Sequence, residues 1–261
     1  MPGIIRPVRP PILMPTRGVG SLAPPYADQG GGGAWTPAKL GASLPRWFRA
    51  DLGTTIATGV STWANQGSDG SAANLTQGTG SAQPTVSTLT GGNGRPALAF
   101  SAAASQFLSN ASALSGSAAH VFVVFQINTD PPAVAANCGL WRLGTAASVG
   151  AVPFTDGIIY DEAYSTTRQT TVNPTPSLTS VHCYEVISTG SEWTSLLDGV
   201  QLFTTATNTF SATATWLIGN SAGGNFLDGK LAELLVCNAK QTTNRPQIVS
   251  YLNARYALGM V

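Results

Sequence analysis

The stretch EWTSLLDGVQLF, residues 192–203, reads as two extended runs joined by Asp198-Gly199. Asp-Gly supplies the two positive φ values of a type I′ turn, whose twist matches that of paired strands, so this segment is expected to be a β-hairpin. Working outward, short apolar or alternating runs recur from Trp35 onward, separated by Gly, Asn, Asp, Ser and Thr. They are Arg46 to Ala50, Ser61 to Ala64, Ala97 to Ser101, His120 to Asn128, Gly139 to Leu143, Gly157 to Tyr160, Ser180 to Ser188, Glu192 to Leu197, Val200 to Thr204, Thr213 to Ile218 and Lys230 to Asn238. Runs of strand length at this spacing, with turn residues between them, define an all-β domain.

One helix stands out over about residues 243–258. Thr242 or Thr243 can cap it, and Pro246 falls in the first turn, where a missing N–H is tolerated. Ile248, Tyr251, Leu252 and Tyr256 repeat at i, i+3, i+4 and i+8 to give one apolar face, and Gly259 ends the run. No internal repeat or heptad pattern divides residues 35–261, which read as one domain.

Residues 1–34, MPGIIRPVRPPILMPTRGVGSLAPPYADQGGGGA, read differently. Proline fixes φ and removes donors, which excludes a helix or a central strand, and Gly30 to Gly33 form a hinge. The segment is expected to be an extended anchoring arm that orders against a partner protein. Ile4, Ile5, Ile12, Leu13 and Met14 are its apolar anchors, set between Arg6, Arg9 and Arg17. Its prolines also break any stretch that could serve as the apolar core of a signal peptide, so no export signal is expected.

Charge is scarce: 10% of the 261 residues are Asp, Glu, Lys or Arg, against roughly a quarter in an ordinary domain. With 29 Gly, 17 Pro and a mean hydropathy of +0.11, the chain is turn-rich and its exposed faces are neutral and polar. A net charge of +1 argues against a binder of nucleic acid or membrane surfaces driven by bulk electrostatics. Residues 1–50 nevertheless carry +5 and the remainder −4. The arm's arginines are too few for more than a small phosphate footprint, and the interleaved isoleucines and prolines suit a protein groove better. No apolar run approaches the ~20 residues of a membrane span, so no membrane insertion is expected.

Several segments carry a resemblance. Trp63-Ala64-Asn65-Gln66-Gly67-Ser68-Asp69-Gly70, then Gln83-Pro84, then Asn93-Gly94-Arg95-Pro96-Ala97-Leu98-Ala99-Phe100 resemble the opening strands of LamG-like, concanavalin A-like lectin jelly rolls. Leu217-Ile218-Gly219 is similar to an L-x-I-G strand of that family. Phe226 through Val236, followed by Tyr251-Leu252-Asn253-Ala254-Arg255-Tyr256, is similar to its closing strand and helix. The resemblance covers about residues 40–258 and implies two curved antiparallel sheets packed face to face. The pieces also make physical sense alone: Asn93-Gly94 is a tight turn, Pro96 suits a strand's first residue, and Trp63 and Phe100 are large enough to anchor a sandwich core.

This scaffold serves many functions, so function has to be read from sites. A glycosidase needs two carboxylates about 5–9 Å apart across the scissile bond. The E-x-D-x-x-E run that the resemblance implies for hydrolytic relatives is absent. Asp161-Glu162 would point to opposite faces of a strand, or be solvated charges in a loop, and Glu185, Glu192 and Glu233 are isolated. Gly219-Asn220-Ser221-Ala222-Gly223 matches a nucleophile elbow by letter, but no helix or later histidine follows, so Ser221 is expected to be a turn residue. His120 and His182 sit in apolar strands and read as structural. Cys138, Cys183 and Cys237 read as buried thiols. Calcium, the ion that the resemblance implies, has only the loop candidates Asp69, Asp156 and Asp228, with no D-x-D-x-D pattern, so no cofactor or metal is expected. Trp35, Trp47, Trp141, Trp193 and Trp216 are candidates for stacking on sugars, with core packing favoured for each.

The expected protein is a non-enzymatic structural component of a bacteriophage virion. Its arm grips other capsid or tail proteins, and its jelly roll faces outward on the head surface, where it can engage host-surface glycans. The alternatives are a tail-associated receptor-binding protein and a carbohydrate-binding module of a bacterial surface. A homo-oligomer is compatible with each.

Overall fold

The computed structural model describes residues 34–148, 150–221 and 224–261. The expected arm anchors Ile4, Ile5, Arg6, Arg9, Ile12, Leu13, Met14 and Arg17 lie outside the described residues. The described chain is the expected antiparallel two-sheet sandwich with one C-terminal helix.

The first sheet contains β1 (Arg46–Arg49), β5 (Thr85–Thr88), β6 (Pro96–Phe100), β8 (Ala119–Ile127), β12 (His182–Ser188), β13 (Trp193–Leu197), β14 (Val200–Thr205) and β16 (Gly229–Cys237). Its order is β14-β13-β12-β8-β16-β6-β5, with β1 also paired to β16. The second sheet runs β2 (Thr54–Ile56), β3 (Val60–Trp63), β4 (Leu75–Thr76), β7 (Leu108–Asn110), β15 (Trp216–Ile218) and β9 (Trp141–Arg142). A separate ribbon pairs β10 (Tyr160–Asp161) with β11 (Gln169–Thr170).

The central strands of the first sheet, β8, β12 and β16, are buried on both faces, which explains why Val121 to Phe125 of β8 is an apolar run rather than an alternating one, while the edge strands β5 and β14 are largely exposed. Val121, Val123 and Phe125 point into the core between the sheets, while Phe122 and Val124 point to a second core on the opposite side. On β16 a bulge between Leu231 and Glu233 shifts the alternation. Leu231, Leu234 and Val236 therefore enter the inter-sheet core, and Ala232, Leu235 and Cys237 the other. That second core is closed by α1 (Arg245–Tyr256), whose Ile248, Leu252 and Tyr256 are buried as the spacing predicts.

Local chemistry sets the turns. Asp198 and Gly199 have φ of 50° and 85°, the type I′ geometry expected of the hairpin. Asn93 and Gly94 also take positive φ, and Pro96 opens β6. Three expectations shift. The helix starts after Asn244, whose carbonyl accepts from Gln247 and Ile248 N–H, rather than at Thr242 or Thr243. It ends at Ala257, with φ of 52°, before Gly259, because the Asn253 side chain binds both N–H and C=O of Met260 and turns the chain back early. The strand expected over Gly157 to Tyr160 contracts to Tyr160–Asp161, because Gly157 has φ of 81° and Asp156 caps the Ile158 N–H, making a turn.

Candidate functional site

The groups most capable of acid–base or nucleophilic chemistry are held inside the fold. His120 accepts from Gln241 N–H at Nδ1 (3.1 Å), so its proton sits on Nε2, which donates to Glu185 Oε1 at 2.8 Å. Arg245, in the first turn of α1, donates to the same carboxylate at 2.7 and 2.9 Å. Burial raises the Glu185 pKa, but hydrogen bonds from His120 and Arg245 outweigh it and hold the carboxyl below its usual range. His182 is desolvated, which lowers its pKa, yet bonds to Asp198 Oδ2 at 2.6 Å and to the Ser177 carbonyl raise it overall. Near the far end of α1, Glu233 accepts from Trp47 Nε1, Tyr256 OH and Tyr251 OH at 2.6, 2.8 and 3.0 Å. Burial raises its pKa despite the nearby Arg255.

Asp161 and Glu162 overturn the expectation of solvated charges: they are 0% and 2% exposed. Asp161 accepts from Trp141 Nε1, Tyr184 OH and the N–H groups of Glu162 and Ala163. Glu162 accepts from the N–H groups of Leu143 and Gly144 at 3.2 and 2.6 Å. The loop folds inward because each carboxylate satisfies backbone donors that would otherwise be buried without a partner. Burial, then the adjacent Asp161, pushes the Glu162 carboxyl up to about 8.

The remaining sequence candidates are structural too. All three cysteines are free and buried, and burial pushes the Cys138 and Cys237 thiols up to about 11 and about 12. Ser221 donates its N–H to the Asn225 carbonyl, and among the described residues no helix follows it before Arg245. Asp69 pairs with Arg46, Asp156 accepts from Tyr160 OH, and Asp228 accepts from Asn128. Among the described residues no three His, Cys, Asp or Glu side chains converge. Trp47, Trp141, Trp193 and Trp216 are buried, and half-buried Trp35 packs edge-on against Tyr251.

The outer face of the second sheet is open across all six strands. Paired residues in an antiparallel ladder share a face, and the register places six in one row: Thr55 opposite Thr62, Thr62 opposite Thr76, Thr76 opposite Ser109, Ser109 opposite Leu217, and Leu217 opposite Arg142. Their neighbours Trp63, Leu75, Leu108, Trp216, Ile218 and Trp141 point the other way, into the core between the sheets. Each residue of the row is exposed or half-buried. At a strand spacing of about 4.8 Å the five steps span roughly 24 Å. The hydroxyls of Thr55, Thr62 and Thr76 have no protein partner among the described residues, and Ser109 Oγ reaches the Thr76 carbonyl at 3.5 Å. Two residues before Ser109, half-buried Phe107 packs 6.3 Å from Phe226. Beyond the β9 edge, the Tyr160 ring carries Arg168 at 4.9 Å and Phe154 edge-on at 5.9 Å. Sequence reading missed this row. The strands β3, β9 and β15 overlap expected runs, but β2, β4 and β7, two or three residues long, do not, and without them no row forms.

Neither a family model nor a curated protein matches the sequence. Among solved structures, the chain is similar to domain 4 of AbnA, an extracellular GH43 arabinanase from Geobacillus stearothermophilus, in complex with arabinotriose. That likeness has 14% identity and a TM-score of 0.49, over 81% of this chain and 98% of that one. It is also similar to a Trypanosoma rangeli sialidase, at 9% identity and a TM-score of 0.48, over 89% of this chain and 35% of that one. A third similarity is to the binding domain of botulinum neurotoxin serotype D/C, at 8% identity and a TM-score of 0.47, over 81% and 52%. The chain thus spans about a third of the sialidase and half of the toxin domain. Likeness at this level concerns the sandwich and carries nothing about function.

Proposed function

We propose that this chain is a non-enzymatic display protein whose sandwich, residues 35–261, binds glycans through the outer face of the second sheet. One observation carries the reading: the centre of the first sheet is buried on both sides, whereas the second presents a row in which the hydroxyls of Thr55, Thr62 and Thr76 have no protein partner among the described residues. Sugars are bound by such convergent donors and acceptors beside apolar surface, and Leu217, with the Phe107–Phe226 pair, supplies the latter. The absence of catalysis is supported by the burial and pairing of Asp161, Glu162, Glu185, Glu233, His120 and His182.

The arm, residues 1–34, is assigned the tethering role, and the assembly proposed to carry it is a bacteriophage particle. That assignment is supported by the arm's composition, its excess of arginine and the LamG-like resemblance of residues 40–258. The test uses the full chain in two measurements. Glycan binding is read on a panel of host-surface polysaccharides, and particle occupancy is read after Ile4, Ile5, Ile12, Leu13 and Met14 are replaced by Ser. Binding on the panel with lost occupancy is the expected result. Silence across the panel overturns the adhesive role, and full occupancy of the substituted chain overturns the tether.

A further inference from the structure

We propose that the open face takes a glycan bearing a carboxylate, with Arg142 receiving the acid group and the Leu217–Thr55 row carrying the neutral sugars beside it. This inference rests on the glycan-binding reading above and names the ligand class of that same face.

The argument begins with composition. The six strands of the second sheet read TTI, VSTW, LT, LSN, WR and WLI, and Arg142 is the single charged residue on all of them. It sits on the edge strand β9 at one end of the row, opposite Leu217. Its partner in sequence, Trp141, turns inward and is fixed by its bond to Asp161, so the alternation of the strand holds Arg142 on the outer face. Half-buried, Arg142 makes no hydrogen bond or ion pair among the described residues. The carboxyl group that faces it electrostatically is the buried Glu162, whose oxygens are occupied by the N–H groups of Leu143 and Gly144. A cation placed this way retains its guanidinium fork for an external acceptor, and the fork matches a carboxylate with two parallel bonds.

The order along the row matches the parts of an acidic oligosaccharide. Arg142 meets the carboxylate, and Leu217, one strand away, offers apolar surface to the C–H face of the ring. Ser109, Thr76, Thr62 and Thr55 then present hydroxyls over a further three strand spacings from Ser109, roughly 14 Å. A neutral glycan would use the hydroxyls and leave Arg142 unmatched. A polyanion such as nucleic acid would find a single cation here, too few for tight phosphate binding.

Uronates and sialic acids share the required carboxylate. The test titrates the full chain with an oligogalacturonate, its methyl ester, sialyllactose and lactose, and repeats each with Arg142→Ala and Arg142→Lys, whose unchanged unfolding midpoints confirm the fold. At least one acidic sugar is expected to bind about tenfold or more tighter than its neutral counterpart, and that preference should shrink as salt rises. Arg142→Ala should abolish the preference, while Arg142→Lys should keep part of it. Whichever acid shows the effect identifies the source. Equal binding of acidic and neutral sugars, or a preference that survives Arg142→Ala, overturns this inference while leaving the glycan-binding face intact. Binding of none of the four, together with silence on the wider panel, overturns both.

Discussion

Glu233→Ala removes the carboxylate to which Trp47, Tyr251 and Tyr256 donate, and which lies 3.5 Å from Arg255 Nε. Arg255 keeps Asp51 at 2.5 Å, so the guanidinium is not abandoned, but three donors are. Each buried donor left without an acceptor costs about 1–3 kcal/mol, and breaking a buried ion pair from one side costs about 3–5 kcal/mol. These terms overlap, because the same carboxylate serves all four groups, so the expected loss is about 4 kcal/mol. In a domain of this size that lowers Tm by roughly 8–16 °C. Glu233→Gln retains one acceptor and turns an NH2 group toward a donor, and should lose about half as much. Urea unfolding followed by tryptophan fluorescence gives the global number, and hydrogen exchange of residues 245–256 gives the local one. A loss under about 1 kcal/mol, or unchanged protection of the helix, would refute the reasoning that this carboxylate holds α1 against the first sheet.

Glu162 predicts a pH dependence. With a folded pKa of about 8 against an ordinary 4.5, it keeps its proton in the folded state and loses it on unfolding over that interval. Its contribution is therefore complete below pH 4.5 and falls as pH rises toward 8, with a limiting slope of about 1.4 kcal/mol per unit. Urea midpoints across this range should show a steeper decline in the native chain than in Glu162→Gln. His182 acts with the same sign: its raised pKa gives stability that is full below 6.5 and lost as pH rises through the folded value. Asp198→Asn, which removes the charge bonded to His182, should flatten that part of the profile in the same titration.

The fold was legible where strands are apolar and turns have a chemical signature. The Asp198-Gly199 hairpin, the runs around Val121 to Phe125 and Leu231 to Val236, and the helix face of Ile248, Leu252 and Tyr256 all follow from side-chain periodicity and turn stereochemistry. The candidate face was not legible. Thr54–Ile56, Leu75–Thr76 and Leu108–Asn110 become strands because neighbouring strands pair with them, and at two or three residues they are too short for a period-two pattern to mark them. Arg142 looked like one arginine in a short apolar run, and its position at the end of a hydroxyl row exists only once the register is known. Asp161 and Glu162 misled for the opposite reason. Two adjacent carboxylates suggest solvent, but a loop that turns its backbone donors inward can bury both.

We propose that this protein meets a glycan at the outer face of the second sheet. Hydrogen exchange of the full chain, with and without a saturating acidic oligosaccharide, tests it most directly. The account predicts new protection in residues 54–63, 75–77, 108–110, 141–142 and 216–218, with none in the helix that covers the first sheet. Protection confined to the helix, to β14 or to the Tyr160 ribbon would contradict it.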